Sequence, residues 1–221
     1  MPYYPNKHIL FIHIPKTGGT SLENYLHQND SQYLFHRLYD NDTKLLNTRY
    51  EKLCNLLYKE INISMQHYTY KTIYELKDLL NINFDNNLKI ITIVRNPYDR
   101  IISALFHHSL INKNSTNEQI CNTVKYFSNY NNTKDIYDNH SIPQYQFLVN
   151  NDNNIINNIT IFKNETLTDD LHNYGFTDFM HNDNVGVENK NNYKKYLNDS
   201  TIKLINDVYE LDFKLFNYEM L

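Results

Sequence analysis

"HILFIHIPKTGGTSLENYL", His8 to Leu26, passes from a short apolar run through Pro15-Lys16-Thr17-Gly18-Gly19 into a second apolar pattern. The run "HILFIHI", residues 8–14, is β-branched and apolar and stops at Pro15, which predicts a buried strand. Leu22, Tyr25 and Leu26 then recur at helical spacing, so the glycines fall where a strand turns into a helix N-terminus. Such a turn gathers unpaired backbone N–H groups and the positive end of a helix dipole at one point. The missing Cβ atoms of Gly18 and Gly19 would let an anion approach the backbone there. The nucleotide triphosphatase loop has the order G-x-x-x-x-G-K-[ST], with lysine after the last glycine. Here Lys16 precedes both glycines and only Thr20 and Ser21 follow, so the cation arrives from the strand side. An ordinary Gly-Gly turn is the plain alternative.

A second strand-to-helix junction lies in "KIITIVRNPYDRIISALFHHSL", Lys89 to Leu110. "IITIV" is another buried-strand run, and Asn96-Pro97 supplies a capping side chain and an N1 proline. Arg95 therefore ends a strand, and Ser103 lies two turns along the next helix, with Ile101, Ile102 and Leu105 on the apolar side. Arginine binds phosphate bidentately and serine can donate to it, so this is a second anion-binding arrangement. Two such sites on strand-to-helix junctions suggest one ligand with phosphates at both ends.

On these residues the chain resembles the sulfotransferases. "PKTGGTS" resembles their 5′-phosphosulfate loop and "VRNPYDRIISAL" their 3′-phosphate motif; "QHYTY", "IPQYQFL", "ITIFKNETL" and "VENKNNYKKYL" follow in the family's order. The nearest likeness is to the carbohydrate and membrane-type branch, the hexuronyl 2-O-sulfotransferases and their bacterial relatives. The resemblance implies 3′-phosphoadenosine-5′-phosphosulfate (PAPS) as donor and PAP as product, with no metal. It implies transfer to an acceptor hydroxyl, a carbohydrate as first choice. Lys16 would neutralise the leaving phosphate, helped by Thr17, Gly18, Gly19, Thr20 and Ser21, while Arg95 and Ser103 would hold the 3′-phosphate. Asn189, Lys190 and Tyr193 look like the late segment that closes over the nucleotide's 3′ end. His67, after the apolar "INISM", is the candidate base, since neutral imidazole accepts a proton near physiological pH. Relatives place a histidine there with a second one close by, whereas Gln66 and Tyr68 flank His67 here. A strand-end histidine bonded to a carbonyl is the structural alternative. Glu165 resembles the family's strand-end glutamate and reads as loop support, with a base role as the alternative. His107-His108 suggest a metal, but neighbours at i, i+1 on a helix point to different faces.

Composition sets outer bounds. With 221 residues, 41% hydrophobic and 14% aromatic, the chain is globular and expected to form one sulfotransferase domain over 1–221. Net charge −4, with 21 Lys and Arg against 25 Asp and Glu, gives no field for nucleic acid and weakens the case for a polyanionic acceptor. Neither Cys54 nor Cys121 has metal-like spacing, and both read as thiols. No apolar run reaches the ~18 residues of a membrane span, so a soluble cytoplasmic protein is expected. Oligomeric state is not legible.

The predicted order is strand 8–14, helix 20–29, a helical pattern near 43–60, strand 62–68 and helix 73–81. Strand 89–95, helix 97–112, strand 158–163 and a C-terminal helix near 200–210 follow. Thr72 and Glu75 read as a capping box for helix 73–81. The alternation implies an α/β fold: a P-loop-like parallel sheet with helices on both faces, binding ligands beyond the strands' C-terminal ends. Lys16, His67 and Arg95 fall at such ends. A P-loop kinase or triphosphatase would need lysine after the glycines and an acidic residue at the second strand end, where Arg95 stands. A non-catalytic nucleotide- or glycan-binding module of the same fold is the third reading.

Overall fold

The computed structural model describes residues 2–28, 63–129, 137–180 and 193–221. The helical pattern near 43–60, Cys54, Asn189 and Lys190 lie outside the described residues.

The centre is a four-stranded sheet in the order β1 (Tyr3–Tyr4), β2 (Ile9–Ile12), β3 (Lys89–Val94), β4 (Ile159–Lys163). β2, β3 and β4 run parallel, and β1 is an antiparallel edge paired through Tyr3 with Leu10 and Tyr4 with Ile9. β2 is buried throughout and β3 from Ile90 onward. Their buried, mostly apolar runs are what a parallel sheet covered on both faces requires, and the one polar side chain, Thr92, donates to the Ile12 carbonyl. On one face Ile9, Phe11, Ile91, Ile93 and Phe162 pack with Leu22 and Leu26 of α1 (Gly19–Gln28) and with Leu167 and Leu171 of α2 (Leu167–Tyr174). On the other, Leu10, Ile12, Ile90 and Val94 meet Ile73 of α3 (Tyr70–Glu75), Leu80 of α4 (Lys77–Leu80), and Phe147 and Leu148. Among the described residues the helices in chain order are α1, α3, α4, then α5 (Pro97–His107), α6 (Asn117–Ser128), α2, α7 (Asp199–Val208) and α8 (Glu210–Leu215). A third apolar cluster joins α5, α6, α7 and α8 through Ile101, Leu105, Val124, Ile205 and Phe213.

The α/β class and covered sheet agree with the sequence reading, but three local expectations need correction. Residues 63–68 are not a strand: Met65–His67 form a 3₁₀ turn in which the His67 N–H bonds the Ser64 carbonyl. The alternating apolar residues mimic a strand, but Asp138 accepts from both the Ser64 N–H (2.6 Å) and its hydroxyl (2.7 Å) and holds the backbone in that turn. The helix expected from residue 73 begins at Tyr70, because Thr69 is the cap, its hydroxyl accepting from the Thr72 N–H at 3.3 Å. α5 follows the sequence signal, with the Asn96 side chain accepting from the Tyr98 N–H and Pro97 in the first turn. It stops at His107, short of 112, because Ser109 turns left-handed at φ 56°.

Asp212, wholly buried on α8, accepts from the Gln144 and Tyr145 N–H groups, both at 2.8 Å. Asp212→Ala would orphan both donors, and each buried unsatisfied group costs about 1–3 kcal/mol. Urea unfolding should show a loss of roughly 2–5 kcal/mol on that basis. A loss within ~0.5 kcal/mol, the range of ordinary surface changes, would refute this anchoring role.

Candidate active site

The loop after β2 is held from several sides. Lys16 and Gly18 take left-handed backbone angles, φ 66° and 89°. Thr17 is buried, its hydroxyl donating to the Ile14 carbonyl at 2.8 Å, and its own carbonyl accepts from the Asn164 side chain at 2.9 Å. The Ser21 N–H bonds the Gly18 carbonyl at 3.1 Å, which closes the turn at the start of α1. Gly19 has a reason independent of any anion: a Cβ there would lie 2.6 Å from His13 Nε2. Burial, followed by the Arg95 charge, pushes the Lys16 ammonium pKa down.

Arg95 reaches that loop directly, its Nη1 donating to the Lys16 carbonyl at 3.3 Å. The two stretches that the sequence suggests for anion binding are thus joined through Lys16 and Arg95. Its Nη2 lies 3.8 Å from Asp99, and its buried Nε has no hydrogen-bond partner among the described residues. The Gln144 side chain clamps the Arg95 backbone, accepting from its N–H and donating to its carbonyl, both at 2.9 Å. Glu165 accepts from the Asn96 N–H (2.7 Å) and the Tyr218 hydroxyl (2.8 Å), bridging the start of α5 to the C-terminal segment. Ser103 lies half-buried on α5, and Tyr193 is close enough to Asp99, Glu165 and Arg95 to feel their charges.

On the other side of the loop lies a histidine-rich cluster. His67 is buried, with Nδ1 2.7 Å from Asp138 Oδ2. Burial pushes its pKa down against the pull of Asp138, while His67 and Ser64 hold Asp138 low despite burial, leaving imidazole neutral and carboxylate ionised at neutral pH. Since the ionised carboxylate only accepts, His67 carries its proton on Nδ1 and its Nε2 keeps a lone pair. The His67 ring contacts those of His13 (5.3 Å between centroids) and His140 (5.0 Å) edge-on. His13 Nδ1 in turn meets the wholly buried Glu23 at 2.5 Å, and Gln66 donates to both Glu23 oxygens. Burial and then the Lys16 charge lower the pKa of His107, both also act on His108, and His67 packs edge-on against His140, which neighbours the two. Lys16 and His67 therefore share one electrostatic neighbourhood, although His67 is not at a strand end.

Sequence reasoning passed over His13, Glu23, Asp138, His140 and Gln144 as site groups. Glu23 leaves a readable trace, an acid between Leu22 and Leu26 on the apolar stripe of α1. Asp138 leaves none, because only the fold brings it to a histidine 71 residues earlier.

The description "Sulfotransferase family" belongs to the family model that matches residues 3–219, and the chain belongs to that family. No curated protein and no solved structure matches it. Membership brings sulfuryl transfer in general; among the described residues no helix is long and apolar enough to cross a membrane.

Asp99 gives the site a pH signature. Burial raises its pKa to about 7, against the Arg95 charge and aided by Glu165. The unfolded chain loses this proton near 4. Between about 4 and 7 the folded state holds the extra proton, so stability should fall as pH rises through that window. Asp99→Asn should flatten that part of the curve, read as a smaller shift in urea midpoint between pH 5 and pH 8. An unchanged shift would remove Asp99 as its source.

Proposed function

We propose that this chain transfers the sulfuryl group of PAPS to an acceptor hydroxyl of a carbohydrate, with Lys16 and His67 as catalytic residues. The observation that carries this reading is the His67–Asp138 pair. A buried neutral imidazole with one nitrogen fixed by a carboxylate and a lone pair on the other is suited to take a proton from a hydroxyl. The acceptor oxygen forms a bond to sulfur as the bond from sulfur to the 5′-phosphate oxygen breaks; the proton goes to His67 Nε2 and the charge left on phosphate faces Lys16. Asp138 orients the imidazole and stabilises its charged form.

Donor binding draws on the loop from Lys16 to Ser21 and on Arg95, whose unpartnered buried Nε suits a phosphate oxygen. Ser103 and Tyr193, with Asn189 and Lys190, complete the nucleotide side in this reading. The Lys16 carbonyl contact of Arg95 supports the reading that one ligand spans both stretches. The carbohydrate class rests on the branch that the sequence motifs resemble, and the acidic balance of the chain favours an acceptor that is not itself heavily sulfated.

PAP should raise the melting temperature more than ATP with Mg²⁺ at equal concentration, and Arg95→Ala should reduce that gain. Stronger stabilisation by ATP with Mg²⁺ would favour a kinase instead, and unchanged PAP affinity in Arg95→Ala would remove the 3′-phosphate assignment.

His67→Ala should leave PAP affinity near the parent value while cutting transfer to a glycan panel by about 10²–10⁴-fold. Asp138→Asn should lower turnover too, with KM little changed, because the amide can favour the wrong imidazole tautomer. Parent-like turnover in a folded His67→Ala protein would take His67 out of the mechanism and leave Glu165 as the next base to test.

A further inference from the structure

We infer that His107, His108 and His140 form a binding site for a divalent transition-metal ion of the zinc type. One ring nitrogen from each of the three lies within 4.8 Å of the other two. Tetrahedral zinc, with Zn–N of about 2.0–2.1 Å, needs N···N separations of about 3.4 Å. A small rotation of the exposed His107 side chain is the movement open to the group. The objection that neighbouring helical residues face apart fails here, because α5 ends at His107 and His108 is its cap. At this helix end the two rings approach to 5.0 Å between centroids, and each lies within 5.2 Å of the His140 ring.

Two observations point beyond packing. His140 Nδ1 donates to the Tyr137 carbonyl at 2.6 Å, which fixes the tautomer and leaves Nε2 with its lone pair. A carbonyl behind the ring in this way is how metal-bound histidines are oriented. His108 Nε2 is buried and has no hydrogen-bond partner among the described residues. A buried nitrogen without a partner is costly, and a bound ion would compensate one imidazole of this pair of histidines directly or through water. Three neutral imidazoles select a borderline cation such as Zn²⁺, Co²⁺, Ni²⁺ or Cu²⁺ over Mg²⁺ or Ca²⁺, and leave a fourth position for water. The site stands whether or not the sulfuryl-transfer reading holds.

The test uses tag-free full-length protein titrated with Zn²⁺ by calorimetry and with Co²⁺ followed by visible absorption. The expected result is one ion per chain, a melting temperature that rises with Zn²⁺, and a four-coordinate cobalt spectrum. His107→Ala, which removes an exposed side chain and should leave the fold intact, should weaken binding by more than about tenfold, as losing a ligand must exceed losing its supporting partner. His107→Asp should recover part of it, and His172→Ala, outside the cluster, should change nothing. Absence of a one-to-one ion, or an affinity that His107→Ala leaves unchanged, would overturn the assignment.

Discussion

Most of the geometry depends on one buried charge. Arg100 is 1% exposed, and its guanidinium donates to three carbonyls from separate parts of the chain: Pro15 at 3.1 Å, Ile142 at 2.9 Å and His140 at 3.2 Å. A charge removed from water is tolerated only when its donors are satisfied, and the planar fork of arginine meets several acceptors at once. The result ties the loop carrying Lys16, the helix following Arg95 and the segment carrying Asp138 and His140 to one side chain. Lysine would keep the charge but could not reproduce the fork.

A second buried polar network supports the opposite side of the loop. Glu23, on the apolar stripe of α1, meets His13 from the end of β2 and Gln66 from the 3₁₀ turn. Because low dielectric strengthens satisfied bonds and penalises broken ones, such a network specifies one arrangement of strand, helix and turn. Gly19 belongs to the same constraint, since the His13 imidazole occupies the space that a side chain there would need. The loop is therefore positioned by core packing before any ligand contributes.

The architecture was legible where local pattern and burial coincide. β2, β3, β4 and the start of α5 lie at or near their predicted positions because apolar runs, Asn96 and Pro97 are local signals. The 3₁₀ turn at Met65–His67 was misread because Ile63 and Met65 alternate like a strand, while the bonds that decide the backbone come from Asp138. Lys16 and Arg95 announced themselves through motif chemistry, yet their direct contact through the Lys16 carbonyl did not. Gln144, holding the Arg95 backbone while Asp212 holds Gln144, is likewise a relation of fold that spacing does not contain.

The distance along the chain between His67 and Asp138 sets an order of assembly. As the polypeptide emerges from the ribosome, β2, the Lys16–Ser21 loop and β3 are all available before residue 138 exists. The strand register between β2 and β3 can form from those residues alone. The imidazole–carboxylate pair cannot, because Asp138 follows β3 in the chain and is made after it. A nascent chain can thus pair β2 with β3 first and acquires an oriented imidazole only once Asp138 has been made.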